Sequence, residues 1–524
     1  MQGLTGRLAA RGYEGAVATG HPLATRAGID MLRAGGNATD AAVAAAATMV
    51  VAAPHLSHLG GDLFLLHYDG ATGEVTALNA SGAAPRRATL DSYPDGSIRL
   101  RGFRSTTVPG LVGGWDLALR LFGTRHRQEV LSAAIAHAEF GFPVGRNLAA
   151  AIRANADTLS ALPPTRDLFL PDGRPVEVGK TLTQTHLAGT LRAIAIGGAT
   201  EFYRGGLASI IAEFMAASGG DLDAEDLAAF EPAVGPPLSR PWRGYDLHVQ
   251  PPVSQAHVML EAMMIAEPLL DECEGPLSPE WLHGGIEAIK LAYADRHAYA
   301  GDPRATGYDP QQLLRPERIA ARRAELDRSQ AKLHDAGPLP ASDTTQLAVV
   351  DRQGNAVCLI QSLFHNFGCG VMVPGTGILL NNRLTGFTLQ PGHPNCLAPG
   401  KRPIHTLTTY MATKDGRVAL LGGSPGGMNQ VQTNLQTCAA ILGFGVDPQV
   451  ATELPRWFIG DGLLVTMEDR LPPGVAERLR ELGHDLRLCP PLHAGGCAQI
   501  IARDCDGLLA AGSDPRGDGH ADVV

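Results

Sequence analysis

The stretch Asp343-Thr344-Thr345-Gln346-Leu347-Ala348-Val349-Val350-Asp351 decides how this chain is read. Before it lies a charged, helix-like segment that ends in Gly337-Pro338-Leu339-Pro340-Ala341-Ser342. After it, two β-rich runs flank Arg352-Gln353-Gly354-Asn355, a turn signal. A threonine therefore stands between a flexible approach and the start of a strand. A threonine hydroxyl is a weak nucleophile, and no histidine is near it in sequence. If the Asp343–Thr344 bond is cut, the freed α-amine of Thr344 lies beside its own Oγ and can act as general base. That amine has an ordinary pKa near ~8, so part of it is deprotonated at neutral pH. Taken alone, Thr-Thr before a strand also fits a plain strand edge.

The 524 residues are 44% hydrophobic and 18% charged, which is ordinary for a globular chain of two to four domains or one large core. The formal charge of −10 has no basic block to set against it, which argues against a nucleic-acid partner. The most apolar stretch, Ala41 to Ala53, is too short to span a bilayer and reads as a buried helix. The residues from Met1 contain no apolar run of signal-peptide length, so a cytoplasmic protein is expected. Eight cysteines without any Cys-x-x-Cys pair read as free thiols. No cofactor or metal is called for. His55 and His58 lack the helical His-Glu-x-x-His context and read as part of a polar loop.

Helical spacing runs over Pro22 to Ala34, stopping at Gly35-Gly36, and over Ala41 to Val51, with Thr39-Asp40 as its cap. Strands are expected at Tyr13 to Thr19, Leu63 to Tyr68 and Glu74 to Asn79, and helices dominate 109–300. Arg315 to Lys332 reads as a solvated charged helix. The last third alternates strands, near 345–350, 356–361, 417–422, 463–467, 485–488, 497–502 and 507–511, with a few helices. Strands from both halves with helices outside them imply a layered α/β body.

The chain resembles the γ-glutamyltranspeptidase family of N-terminal-nucleophile hydrolases, nearly end to end. The resemblance rests on Gly35-Gly36-Asn37-Ala38-Thr39-Asp40, the Pro54 to Gly61 loop, Thr107-Val108-Pro109-Gly110, Tyr293-Ala294-Asp295-Arg296 and Gly301-Asp302-Pro303. It continues through the Thr344 stretch, Gly377 to Asn382, Lys401-Arg402-Pro403, Gly423-Ser424-Pro425-Gly426-Gly427 and Ser513-Asp514-Pro515-Arg516. It implies a four-layer αββα sandwich of two stacked antiparallel-rich sheets flanked by helices. It also implies self-cleavage between Asp343 and Thr344, giving a large subunit 1–343 and a small subunit 344–524 intertwined in one domain. Thr344 would be the nucleophile, and Ser362 would replace a threonine that hydrogen-bonds it. The N–H groups of Gly426 and Gly427 would form the oxyanion hole.

The departures from the family concern the substrate. Ser81, in Asn79 to Pro85, stands where the family has an arginine for the glutamyl carboxylate. By register from Thr344, Phe364, Arg383 and Gly386 replace the asparagine, glutamine and aspartate that hold the α-amine. His405 and Thr406 replace two serines, and the lid segment Gln390 to Gly400 is short. These changes imply a small amide with an acidic, oxamate-like acyl group and no α-amine. A genuine γ-glutamyltranspeptidase or glutathione hydrolase, and a cephalosporin (glutaryl) acylase, are the alternatives. The expected partner is a small-molecule amide, with no nucleic acid and no membrane. A homodimer of large/small-subunit heterodimers fits the resemblance.

Overall fold

The computed structural model describes residues 5–339 and 342–524. Pro340 and Ala341 of the linker, and the first four residues, lie outside them. The strand Asp343–Val350 alternates its side chains between two faces, as any strand must. Leu347 and Val349 join a core shared with helices, whereas Ala348 and Val350 join a second core shared with another sheet. This single strand thus fixes the layering.

Its sheet has seven antiparallel strands, in the order His520–Val523, Ala16–Thr19, Asp343–Val350, Ala356–Phe364, Asp62–Tyr68, Val75–Ala80 and Ala233–Gly235. The facing sheet, also seven antiparallel strands, runs Ala10–Gly12, Leu509–Ser513, Gln499–Arg503, Arg417–Gly423, Thr409–Lys414, Tyr245–Val249 and Leu238–Trp242. Ala16, Ala18, Ala348, Ala356 and Ala511 help fill the space between them. Helices cover both outer faces, Ala38–Ala52 and its neighbours on one side and His257–Ala266, Pro279–Tyr299 and Asn429–Cys438 on the other. This is the expected αββα sandwich, and both sheets draw strands from either side of residue 343.

The helix Ala38–Ala52 starts three residues before the expected Ala41. Asn37 rather than Thr39 or Asp40 is its N-cap, and Asp40 closes a capping box from the third helical position. The Asp40 carboxylate also accepts the Thr124 N–H, and Asp351 accepts the Ala38 N–H at 2.9 Å. Alanine carries no side-chain entropy to lose, so a helix buried on every side forms here.

The charged segment is a helix only over Pro316–Glu325, and one face of it is bound rather than solvated. Arg318 and Arg322 both pair with the buried Asp295. The chain then runs on as coil, tied down by the Ala331 N–H to Leu482 O and the Lys332 N–H to Glu287. His55 and His58 are buried rather than in an exposed loop, and His58 Nδ1 accepts the Leu379 N–H. All eight cysteines are free. Among the described residues, no helix is long and apolar enough to cross a membrane.

Burial has a consequence for acid stability. The fold strips water from His21, His55, His58, His67, His257, His405 and His484, pulling each pKa down to about 3 or about 4. Between that value and the ordinary 6.5 the unfolded chain binds more protons than the folded one. Stability is therefore full above about pH 6.5 and is lost as the pH falls toward 4, by up to about 1.4 kcal/mol per histidine per pH unit. Glu261, buried and raised well above its ordinary value, works in the opposite sense. Melting curves from pH 7 to pH 5 should show a steadily falling Tm. A flat Tm over that range would contradict the burial of these rings as neutral groups.

Candidate active site

Thr344 is fully buried at a bulge in the strand pair, where the register with Ala356–Phe364 shifts between Asp343 and Thr345. A bulge re-aims a side chain at the end of a sheet. Thr344 Oγ lies 2.6 Å from the carbonyl oxygen of Asp343 and 3.2 Å from Ser362 Oγ. The hydroxyl has one proton, so it can donate to only one of them at a time. Ser362 Oγ donates to the same Asp343 carbonyl at 2.7 Å and accepts the Phe364 N–H at 2.7 Å. The carbonyl preceding Thr344 is therefore met by two hydroxyls.

A third group completes this cluster. Gln430 Nε2 donates to Thr344 Oγ at 3.3 Å. Its Oε1 accepts the Thr408 N–H at 2.9 Å, which fixes which end of the amide faces the threonine. Gln430 sits in the first turn of the helix Asn429–Cys438, just after Gly426-Gly427. These glycines have φ of +123° and +60°, a region L residues rarely adopt. Among the described residues their N–H groups donate to no protein acceptor. The turn between the strand Arg417–Gly423 and that helix thus leaves two amide donors free, and Gly426 shares a cavity wall with Thr344.

On the other side of Ser362 the expected substrate residues meet one another. Arg383 is fully buried, and its guanidinium lies 4.1 Å above the Phe364 ring, a cation–π contact. Arg383 Nη1 donates to Thr406 Oγ at 3.4 Å, while Nε and Nη2 have no hydrogen-bond partner. The balancing charge is Asp62, 3.5 Å from Arg383 Nε and 3.3 Å from His405 Nε2. Asp62 also accepts the N–H of Gly82, beside Ser81. Ser81 itself donates to Asn79 Oδ1 at 2.6 Å. Burial lowers the Arg383 pKa to about 10, so it stays charged at neutral pH. Burial, with repulsion from Arg383, brings His405 down to about 4 and keeps it neutral. Phe364 holds φ of +87°, strained for a non-glycine residue. Its ring meets Arg383 and its N–H meets Ser362, so it links the two groups of residues.

A cavity of about 450 Å³ reaches Thr344. Asp343, Thr344, Thr345 and Gly426 line it; Arg383, Phe364, His405, Thr406 and Ser81 do not. Among the described residues, three metal-ligating side chains converge elsewhere, at His283, Glu287 and His484. There Lys290 Nζ lies 2.8 Å from Glu287, and His283 and His484 share a 2.8 Å hydrogen bond. A resident ammonium supplies the positive charge at that cluster, which ties down the linker.

The sequence model of the family described as Gamma-glutamyltranspeptidase matches residues 24–524. The chain belongs to the γ-glutamyltranspeptidase family. The glutathione hydrolase-like YwrD proenzyme of Bacillus subtilis (strain 168) is 37% identical over 517 residues, 96% of this chain and 97% of its own length. The oxamate amidohydrolase proenzyme of Klebsiella pneumoniae is 38% identical, also over 96% of this chain and 97% of its own. The crystal structure of cephalosporin acylase from Bacillus halodurans matches with a TM-score of 0.93 at 37% identity, covering 98% of this chain and 96% of that one. As a γ-glutamyltranspeptidase-family protein the chain is an enzyme, an amidohydrolase.

The family motifs also account for parts that touch no substrate residue directly. Asn381 accepts the N–H groups of Thr107 and Arg383, so it joins two motifs and sets the backbone beneath Arg383. Asp302 binds Arg402 at 3.0 Å, joining Gly301-Asp302-Pro303 to Lys401-Arg402-Pro403. Asp62 and Gln430 are the two site residues that sequence reading left unassigned. Asp62 directly follows the Pro54 to Gly61 loop, and a carboxylate opposite a new arginine was a usable signal. Gln430 lies 86 positions from Thr344 and had none.

Proposed function

We propose that the chain cuts itself between Asp343 and Thr344 and then hydrolyses the amide of a small acyl group that bears a carboxylate. In self-cleavage, Thr344 Oγ attacks the Asp343 carbonyl carbon, the C–N bond breaks, and water hydrolyses the resulting ester. Thr344 is left with a free α-amine beside its hydroxyl. In turnover that amine takes the hydroxyl proton as Oγ attacks the substrate amide. Gly426 and Gly427 stabilise the oxyanion, donors of a kind worth about 3–4 kcal/mol each in a transition state. Ser362 and Gln430 hold the hydroxyl in place.

The observation that carries the acyl assignment is Arg383. It is buried and charged; Nη2 has no partner, and Nε reaches only Asp62 at 3.5 Å, longer than a good hydrogen bond. Leaving charge-bearing donors unpaired in the interior is costly, and a bound carboxylate would repay it with a bidentate contact. An α-ammonium would meet this arginine with its balancing Asp62 already engaged, an arrangement that favours anions over cations. The similarity to the oxamate amidohydrolase supports the same reading, since oxamate is an amide bearing a carboxylate. A side-by-side assay tests it. Oxamate and glutaric monoamide should be consumed, and a γ-glutamyl anilide should be turned over far more slowly. Comparable turnover of the γ-glutamyl anilide would overturn the assignment.

A further inference from the structure

Asn434, Thr408 and Gln430 form a chain of side chains that ends on Thr344, and the direction of each hydrogen bond in it is fixed. Asn434 lies one turn after Gln430 on the helix Asn429–Cys438, so the two share a face. Asn434 Nδ2 donates to the Thr408 carbonyl oxygen at 3.4 Å and to Thr408 Oγ at 3.2 Å. A carbonyl only accepts, which settles which end of the Asn434 amide faces Thr408. Thr408 Oγ thus accepts from Asn434 and turns its own proton to Gln430 Oε1 at 3.4 Å, beside the 2.9 Å bond from the Thr408 N–H. With Oε1 so occupied, Gln430 presents Nε2 to Thr344 Oγ at 3.3 Å. Thr344, Gln430 and Asn434 are fully buried, and Thr408 nearly so.

Among the described residues, Gln430 is the one group that donates to this oxygen. The proton of Thr344 itself goes to the Asp343 carbonyl or to Ser362, and Ser362 spends its single proton on that carbonyl. A donor aimed at an oxygen binds it more strongly as negative charge gathers there, most of all where water is excluded. Each bond in a chain of donors also polarises the next.

Resting on the assignment of Thr344 as nucleophile above, we infer that Gln430 is a catalytic residue. Its Nε2–H stabilises the charge that forms on Thr344 Oγ whenever the bond from that oxygen to an acyl carbon is made or broken, and Thr408 and Asn434 position and polarise it. In self-cleavage Oγ attacks the Asp343 carbonyl carbon and the C–N bond breaks. The hydroxyl proton passes to the Thr344 nitrogen, which becomes the α-amine. Water then adds to the ester and the C–Oγ bond breaks. One proton of that water returns to Oγ, and its oxygen stays on Asp343 as a carboxyl group. The same N–H meets Oγ in both steps, and turnover of a substrate amide repeats the pair.

Self-cleavage tests this without any substrate, so the result stands apart from the acyl assignment. Full-length precursors made by cell-free translation are timed on denaturing gels as they cut. Gln430→Glu keeps the shape and the acceptor for Thr408 but turns an oxygen toward Thr344. A buried glutamate titrates as high as about pH 8–9, so between about pH 9 and about pH 6 that oxygen passes from acceptor to donor. Relative to wild type, Gln430→Glu should cut about 10- to 100-fold more slowly at the alkaline end, the worth of a hydrogen bond to a charged group, and should recover as the pH falls. Gln430→Met, which has no donor, should stay slow throughout. A Glu-to-wild-type ratio that does not change with pH overturns the inference, as does a Met variant that cuts at the wild-type rate. A ratio that climbs with pH also overturns it, since residue 430 would then serve as an acceptor. Thr408→Val carries the test if neither of these variants folds. It keeps the N–H to Gln430, removes only the hydroxyl link, and should slow cutting by about two- to tenfold. A wild-type rate there contradicts the relay. A smaller wild-type fragment that begins elsewhere than Thr344 overturns the nucleophile assignment instead.

Discussion

Thr344→Ala should run as one chain of 54.9 kDa where wild type gives fragments of about 36 and 19 kDa, the mass divided at residue 343 in proportion to length. Hydrolysis should fall by about 10⁴-fold or more, the scale on which an enzyme loses rate when its nucleophile is removed. The two losses share one cause, since the same oxygen makes the first cut and every later one. The geometry gives the reason for choosing this hydroxyl over its neighbour. Thr344 Oγ touches the Asp343 carbonyl oxygen, Ser362 and Gln430. Thr345 Oγ has no hydrogen-bond partner. Thr345→Ala should therefore still be cut. Thr344→Ser keeps a hydroxyl and should also be cut, more slowly where the lost methyl leaves the oxygen freer to rotate. If Thr345→Ala stays whole while Thr344→Ala is processed, the nucleophile is misplaced by one residue.

Arg383→Met should lower kcat/KM for carboxylate-bearing amides by about 10²- to 10³-fold, with self-cleavage retained. Truncating one partner of a buried hydrogen-bonded charge pair costs about 2–5 kcal/mol, and here the partner is the substrate. Part of the effect comes from Asp62, which would face only the neutral His405. Arg383→Lys separates the two contributions. It keeps the charge next to Asp62 but loses the planar fork and the contact over Phe364. It should fall between wild type and Arg383→Met in activity and near wild type in Tm. A Met variant that hydrolyses oxamate at the wild-type rate would show that the carboxylate is read elsewhere.

Much of the layering was legible in the sequence because strand alternation and helix caps are local. Leu347 and Val349 against Ala348 and Val350 predict two different faces, and the fold uses both. Where reading failed, non-local effects had won. The strand Leu238–Trp242 contains Pro241, which argues against a strand, yet it lies at the sheet edge where a missing N–H is tolerated. Its partner Tyr245–Val249 alternates apolar and polar residues, a local strand signal that the helix-dominated reading of 109–300 passed over, and it pairs with Thr409–Lys414. Counting from Thr344 sufficed to gather Phe364 and Arg383, because the hairpin and the turns after it keep register. Gln430 and Asp62 reach the site through folding alone. The cavity behind Thr344 was invisible in the same way, since its wall comes from segments near residues 20, 55, 150, 345 and 517.

The chemistry at Thr344 depends on where the chain is cut. Mass spectrometry of purified wild-type protein, with sequencing of the N-terminus of the smaller fragment, reads this directly. The expected result is a fragment that begins at Thr344 and carries a free α-amine. An intact chain with full hydrolytic activity, or a fragment beginning at any other residue, would contradict it.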